Sequence, residues 1–258
     1  MGISVHQFIC LTDNFGLLAR DEETGAVASI DAPDGEAIAR EAGRIGWPLT
    51  DVWLTHHHLD HIEGVPALRQ AFSGLRVVGA RRDEHRLGRL DLLVEDGDHV
   101  MLGNSSARVI DVCGHTRGHI AYYFAEDEIV FVGDTLFSLG CGKVFEGSMA
   151  EMYDSLQKLA DLPDETRVYC GHEYTQTNAR FALTVDPENP LLAQRAKEVD
   201  RLRTQGCATL PTTIGLERAT NPFLRADDPL VRRAIGMSEG EPVQVFTKIR
   251  EMKSAFRG

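Results

Sequence analysis

The chain is short of the residues that mark secreted, membrane-spanning or nucleic-acid-binding proteins. Cysteine is sparse: Cys10, Cys113, Cys141, Cys170 and Cys207 make an odd, widely spaced set of five with no Cys-x-x-Cys pair. That argues against a disulfide framework or a thiolate zinc knuckle, and for a reducing compartment. No apolar run approaches the length of a membrane span. The opening residues lack the charged start and apolar stretch of a signal peptide, since 8–11 are followed at once by Thr12-Asp13-Asn14. Positive charge is also scarce: 27 Lys and Arg stand against 39 Asp and Glu, a formal charge of -12. Nucleic acid is not an expected partner, because phosphate binding wants a net basic face. The expectation is a cytoplasmic enzyme with neither membrane nor nucleic-acid partner. Nothing in the sequence sets its oligomeric state, and a monomer is the default.

What is present is an ordinary globular composition, 43% hydrophobic and 26% charged. A chain of this length buries a core without staples. Short β-branched and apolar runs predict strands at 27–31, 51–55, 75–80, 106–112 and 166–170, with 120–124 and 129–132 as a hairpin. Helices are predicted at 35–44, 65–72 and 149–160, the last opened by Ser148 and Glu151 at capping-box spacing. After about Tyr174 strand-like runs nearly vanish. Helical patterns at 177–184, 191–204, 230–235 and 241–256 are punctuated by prolines. The expected organisation is an α/β domain over 1–174 and an all-helical domain over 175–258.

The predicted strand 51–55 runs directly into His56-His57-His58-Leu59-Asp60-His61. Alternate residues of an extended chain point the same way, so His56 and His58 converge on one ion. Asp60 and His61 come next as the chain turns and reach a second. Imidazole with carboxylate suits zinc, iron or manganese. The motif has a chance expectation of ~10⁻³ per chain, and a solvated polar loop does not explain histidine recurring at that alternation. Three more candidates stand just past predicted strands: His115, Asp134 and His172. Taken singly, each is more often a turn residue than a ligand. Joined to the six-residue motif they form a donor set, in which Asp134 alone of the three is a carboxylate able to bridge two cations. His57 faces away by alternation. His119 is expected to support the His115 loop by hydrogen bonding, His6, His85 and His99 to lie at the surface, and Cys113, Cys141 and Cys170 to pack.

His-x-His-x-Asp-His, then Gly-His-Thr-x-Gly-His (114–119), Gly-Asp-Thr-Leu-Phe (133–137) and Gly-His-Glu-Tyr-Thr (171–175) resemble the metallo-β-lactamase fold. Within it they resemble the glyoxalase II, or hydroxyacylglutathione hydrolase, branch. The resemblance spans almost the whole chain. It implies an αββα sandwich with an added C-terminal all-helical domain, and two divalent ions: zinc, with iron or manganese as alternatives. By the resemblance His56, His58 and His115 hold the first ion, Asp60, His61 and His172 the second, and Asp134 bridges. The implied reaction is hydrolysis of S-(2-hydroxyacyl)glutathione, S-lactoylglutathione above all, in methylglyoxal detoxification. Asp60 and Asp134 are then the catalytic carboxylates beside a hydroxide formed at the paired cations. Leu59, Glu63 and Cys113 depart from the branch's pattern, none of them at a ligand position.

An acidic enzyme must offer cations locally to a glutathione thioester. Arg250 and Lys253, spaced i,i+3 on the last predicted helix, share a face, while Val245, Phe246, Ile249, Met252 and Phe256 mark its packing side. Such cations are usually solvent-facing. The resemblance instead makes them the grip on the glycine carboxylate. It also makes 141–147 a substrate loop, with Lys143 as a glutathione contact and Phe145 where some members have tyrosine. Tyr174 is then the thiol-side contact. Two rival readings are a mononuclear iron persulfide dioxygenase on the same fold and a non-catalytic metal- or glutathione-binding protein. Metal counting beside a thioester assay separates the three.

Overall fold

An antiparallel hairpin absent from the expected strands opens the chain: β1 (Ile3–Cys10) pairs with β2 (Asn14–Asp21) from Ile3↔Asp21 to Cys10↔Asn14. The break at Thr12-Asp13 is its turn, entered through Leu11 in the left-handed region at φ 52. The structure is a computed structural model that describes residues 2–257. It divides into two units, one comprising the chain up to Asp111 with Thr116–Gly133, the other Val112–His115 with the chain from Asp134 onward.

In the first unit β2 pairs antiparallel with β3 (Val27–Ile30). From β3 the sheet runs parallel through β4 (Asp51–Trp53), β5 (Arg76–Ala80) and β6 (Leu92–Val94). Parallel neighbours need crossovers, and helices supply them: α1 (Gly35–Ile45), α2 (Leu59–Ile62), α3 (Val65–Ala71) and α4 (Glu84–Leu87). Helix α1 starts where the Asp34 carboxylate accepts from Ala37 N and stops at Gly46 in the left-handed region. Ile38 and Ala42 of α1 and Leu68 of α3 pack on Val27, Val52, Leu54 and Val77 of the sheet. Each such fully buried branched side chain contributes ~1.5–3 kcal/mol.

The second sheet of this unit is an antiparallel meander of β7 (His99–Leu102), β8 (Ser105–Asp111), β9 (Ile120–Phe124) and β10 (Ile129–Gly133). It faces the first sheet through aromatics. Trp53 stacks on Phe124 at 5.7 Å with ring planes 6° apart, and the Tyr122 hydroxyl donates to Leu54 O at 2.9 Å. β4, β9 and β10 are buried along their whole length, as strands covered on both faces are. The expected hairpin 120–124/129–132 forms as predicted.

The second unit begins with a two-stranded ribbon, β11 (Leu136–Phe137) and β12 (Gly140–Cys141). Then come α5 (Met149–Ala160), with its Ser148/Glu151 capping box formed, and β13 (Arg167–Cys170). The remainder is α6 (Thr175–Val185), α7 (Pro190–Thr204), β14 (Thr212–Thr213), α8 (Ile214–Thr220), α9 (Pro229–Ala234) and α10 (Pro242–Ala255). The tail is thus helical apart from β14, which pairs with β13. α8 is absent from the expected helices, because Thr212-Thr213 ahead of it and Gly215 within it mask its periodicity. The core of this unit runs through Phe181, Phe223 and Phe246. Val245, Phe246 and Ile249 of α10 are buried as expected, while Met252 and Phe256 are half-buried. Among the described residues no helix is long and apolar enough to cross a membrane.

Candidate metal centre

β3 and β4 run in parallel, and the segments leaving their carboxyl ends build the first donor group. Past β4, the Thr55 to His61 segment turns into α2, with His56 fully buried and its Nε2 at 3.2 Å from His58 Nδ1. The His61 ring is nearly buried and its Nε2 lies 3.8 Å from Asp60 Oδ2. Asn14, at the end of the opening hairpin, donates its amide to both Asp60 O (3.1 Å) and Asp60 Oδ2 (3.2 Å). The exposed member is Leu59, at 70%, between ligand candidates His58 and Asp60.

Asp31, which strand-end reasoning passed over, organises this segment. It stands just past β3 in the left-handed region, φ 60, and is buried. Its Oδ1 accepts from Thr55 N at 2.7 Å, and its Oδ2 accepts from Thr55 Oγ1 and from His61 Nδ1, both at 2.8 Å. Asp31, His56 and His61 each bring one donor atom within 4.8 Å of the others. Both Asp31 oxygens accept hydrogen bonds from Thr55 and His61, so Asp31 braces this segment. By accepting from Nδ1–H it fixes the His61 tautomer and leaves Nε2 for a cation, the arrangement typical of metal-binding histidine.

His57 does face away from its neighbours, but into the protein: its Nδ1 pairs with the nearly buried Asp83 carboxylate at 2.7 Å. His119, expected to support the His115 loop, stacks fully buried on His56 at 4.6 Å. Gly133 closes this corner. With φ +48, a Cβ there would press on Thr55 Oγ1 and the His119 ring, which is why glycine precedes Asp134. His85 and His99 are exposed, whereas His6 is half-buried against Glu41.

The second unit presents three donors of its own. Asp134 Oδ2 lies 3.6 Å from His115 Nε2 and 3.3 Å from His172 Nε2, all three residues buried. One carboxylate oxygen is therefore shared between two imidazoles whose Nε2 atoms turn toward it. His115 Nδ1 is 2.8 Å from Lys143 O, an acceptor only, so that ring too has its proton placed on the far side.

The expected substrate contacts also lie in this unit. Tyr174, 37% exposed, stacks on His172 at 4.7 Å with planes 4° apart. Phe145 is exposed, edge-on to His115 at 5.3 Å, and the Lys143 ammonium sits 4.9 Å from its ring centre. Lys253 Nζ donates to Thr177 O at 3.3 Å beside Phe181 and Phe256. Burial foremost, then the neighbouring Arg250, pulls the Lys253 ammonium down to about 8, with Cys141 opposing. Arg250 is turned inward, away from the solvent-facing position that cations on a terminal helix usually take. It is 7% exposed, donates to Cys141 O at 2.9 Å, and lies over Phe223. Burial pushes the Cys141 thiol up to about 11 and raises Cys170 further, so neither is a thiolate nucleophile near neutral pH.

The comparisons with known proteins agree over most of the chain. The family described as "Hydroxyacylglutathione hydrolase C-terminus" matches residues 173–256, and the "Metallo-beta-lactamase superfamily" matches 22–172. The hydroxyacylglutathione hydrolase of Chelativorans sp. (strain BNC1) is 50% identical over 99% of this chain and 100% of its own length. That of Maricaulis maris (strain MCS10) is 50% identical over 98% of each. Among solved structures, the BLEG-1 B3 metallo-beta-lactamase superposes with a TM-score of 0.67 at 22% identity, covering 86% of this chain and 99% of that one. The last is a likeness of fold.

Proposed function

This chain belongs to the hydroxyacylglutathione hydrolase family of the metallo-β-lactamase superfamily, and we propose that it hydrolyses S-(2-hydroxyacyl)glutathione, with S-lactoylglutathione as the principal substrate, to glutathione and a 2-hydroxy acid. The implied role is methylglyoxal detoxification in the cytoplasm. Residues 1–174 form the catalytic domain in this reading and 175–258 the substrate-binding domain, a division supported by the adjoining family matches.

The donors fit divalent cations. One observation carries this: within the donor set, His61 through Asp31 and His115 through Lys143 O have acceptor-only partners on Nδ1, and each leaves Nε2 for a ligand role. In the proposed set His56, His58 and His115 would hold one ion, Asp60, His61 and His172 would hold the other, and Asp134 would serve both. Zinc suits this imidazole and carboxylate mixture, with iron and manganese as alternatives. Bound there, such cations would supply hydroxide near neutral pH and Lewis acidity toward the thioester carbonyl. The chain's own work is orientation. Asn14 steadies Asp60, whose other oxygen orients the attacking oxygen, and Asp134 holds the donors of its unit together. A thiolate leaves without a dedicated general acid.

On the substrate side, Lys143 and Tyr174 are proposed to contact the glutathione backbone and thiol end, with the Phe145 ring as an apolar wall. Lys253 is proposed to meet the glycine carboxylate, and Arg250 to shape the loop it braces as well as add charge. The Lys253 ammonium is present below its pKa of about 8 and lost above it. KM for glutathione thioesters is therefore expected to rise as pH passes through about 8, with kcat unchanged. Lys253→Met should raise KM about tenfold at neutral pH, the loss of one charge-assisted contact, and should flatten that rise. A variant that keeps the parent's pH profile would assign the rise to another group.

The deciding experiment sets S-lactoylglutathione beside the matched oxygen ester and a β-lactam, with metal counted on the same sample. Two metals with thioester turnover is the expected result. One iron with oxygen uptake would select the persulfide dioxygenase reading, and metal without turnover a binding protein.

A further inference from the structure

Between β11 and β12 the chain reverses through Ser138 and Leu139, and Leu139 lies in the left-handed region at φ 58. That region is uncommon for a branched side chain and persists only where surroundings fix it. The tail helices do so. The Glu217 carboxylate of α8 accepts from Leu139 N at 2.8 Å. Asn221, which ends α8, donates its amide to Phe137 O at 3.1 Å and to Gly140 O at 2.9 Å. Asn178 of α6 donates to Ser138 O at 3.1 Å. Every residue of the turn thus has a backbone group held by a side chain, and the Leu139 side chain is sunk among Ala179, Ala182 and Leu192.

This clamp is an expensive way to make a turn. Glu217 is fully buried, and its partners, Leu139 N, the Thr212 hydroxyl and the Asn221 amide, are all neutral. Burial raises its pKa and those hydrogen bonds work against the rise. Apolar side chains of similar volume generally stabilise a core as well or better. The turn's place in the chain gives a reason for the polar solution. Asp134 stands two residues before β11, and Lys143, whose carbonyl fixes His115 Nδ1, two residues after β12. Between them Gly142 N donates to Thr135 O at 3.1 Å, tying the two ends of the ribbon together.

We propose that Glu217, Asn221 and Asn178 are positioning residues: by clamping the Phe137–Gly140 turn they place the Lys143 carbonyl that fixes the His115 tautomer and leaves Nε2 for a cation. The inference rests on His115 being a metal ligand. It is tested on the whole chain by zinc affinity from chelator competition and by ¹⁵N NMR of the His115 ring in metal-free protein. Asn221→Ala, and the milder Asn178→Ala, are expected to weaken zinc binding ~10–100-fold, as loss of outer-sphere partners does. Both should move the ring nitrogens away from a single Nδ1–H tautomer. Val199→Ala, a truncation of the α7 core outside the Leu139 cluster, should lower Tm and leave both readouts alone. His115→Ala tests the underlying reading, and unchanged zinc affinity there removes His115 from the ligands and this inference with it. If His115→Ala weakens zinc while the folded asparagine variants keep the parent's affinity and ring signals, the clamp is scaffolding and the proposal is overturned.

Discussion

If Asp134 bridges two cations as proposed, Asp134→Asn is expected to lower kcat by more than the ~10–100-fold typical of losing an outer-sphere partner, and to lower the metal content by one ion per chain. One Asp134 oxygen lies between the Nε2 atoms of His115 and His172, at 3.6 and 3.3 Å. An amide of the same shape keeps a single acceptor and carries no charge, so it cannot bridge two cations as a carboxylate does. Because the substitution is isosteric, far-ultraviolet circular dichroism should be unchanged while elemental analysis reports the missing ion. A variant that retains two metals and near-parental turnover would remove Asp134 from the bridge.

Asp31→Asn comes next in size, and it separates two roles that a truncation would confuse. Asparagine tolerates the left-handed backbone at φ 60 better than most residues do, so the turn after β3 is preserved. What goes is the charge and one of the two acceptors that serve Thr55 N, Thr55 Oγ1 and His61 Nδ1. Leaving a buried donor unmet costs ~1–3 kcal/mol, and the freed His61 ring no longer has its tautomer set. Zinc affinity should fall ~10–100-fold, with Tm lowered by several degrees. Chelator competition and thermal melts check the two effects separately. If Tm falls and zinc affinity does not, Asp31 serves the fold alone.

Much of the donor set is legible in the sequence because it obeys short-range rules. His56 and His58 alternate after a strand, and His115, Asp134 and His172 each stand just past a run of β-branched and apolar residues. Helix α5 can be read to the residue, since its Ser148/Glu151 cap is a local signal. Asp31 shows where such rules end. It too comes after a strand, but its role depends on a positive φ and on donors 24 and 30 residues away, neither of which leaves a trace in composition. Arg250 is a second case. Helical spacing correctly groups it with Lys253, yet its carbonyl partner Cys141 is 109 residues distant, and that bond draws it inward. The opening hairpin is hidden for another reason: its polar tip looks like an interruption of an apolar stretch when it is the reversal between two strands.

The hydrogen bonds that hold His61 and His115 fix both rings from within the fold. Zinc fingers recruit metal to a disordered chain, so that uptake and folding are one event. Here an aspartate and a backbone carbonyl of the chain itself aim the imidazoles. The ring orientations are therefore set by the fold, and treatment with a chelator is expected to leave the far-ultraviolet circular dichroism of the protein unchanged.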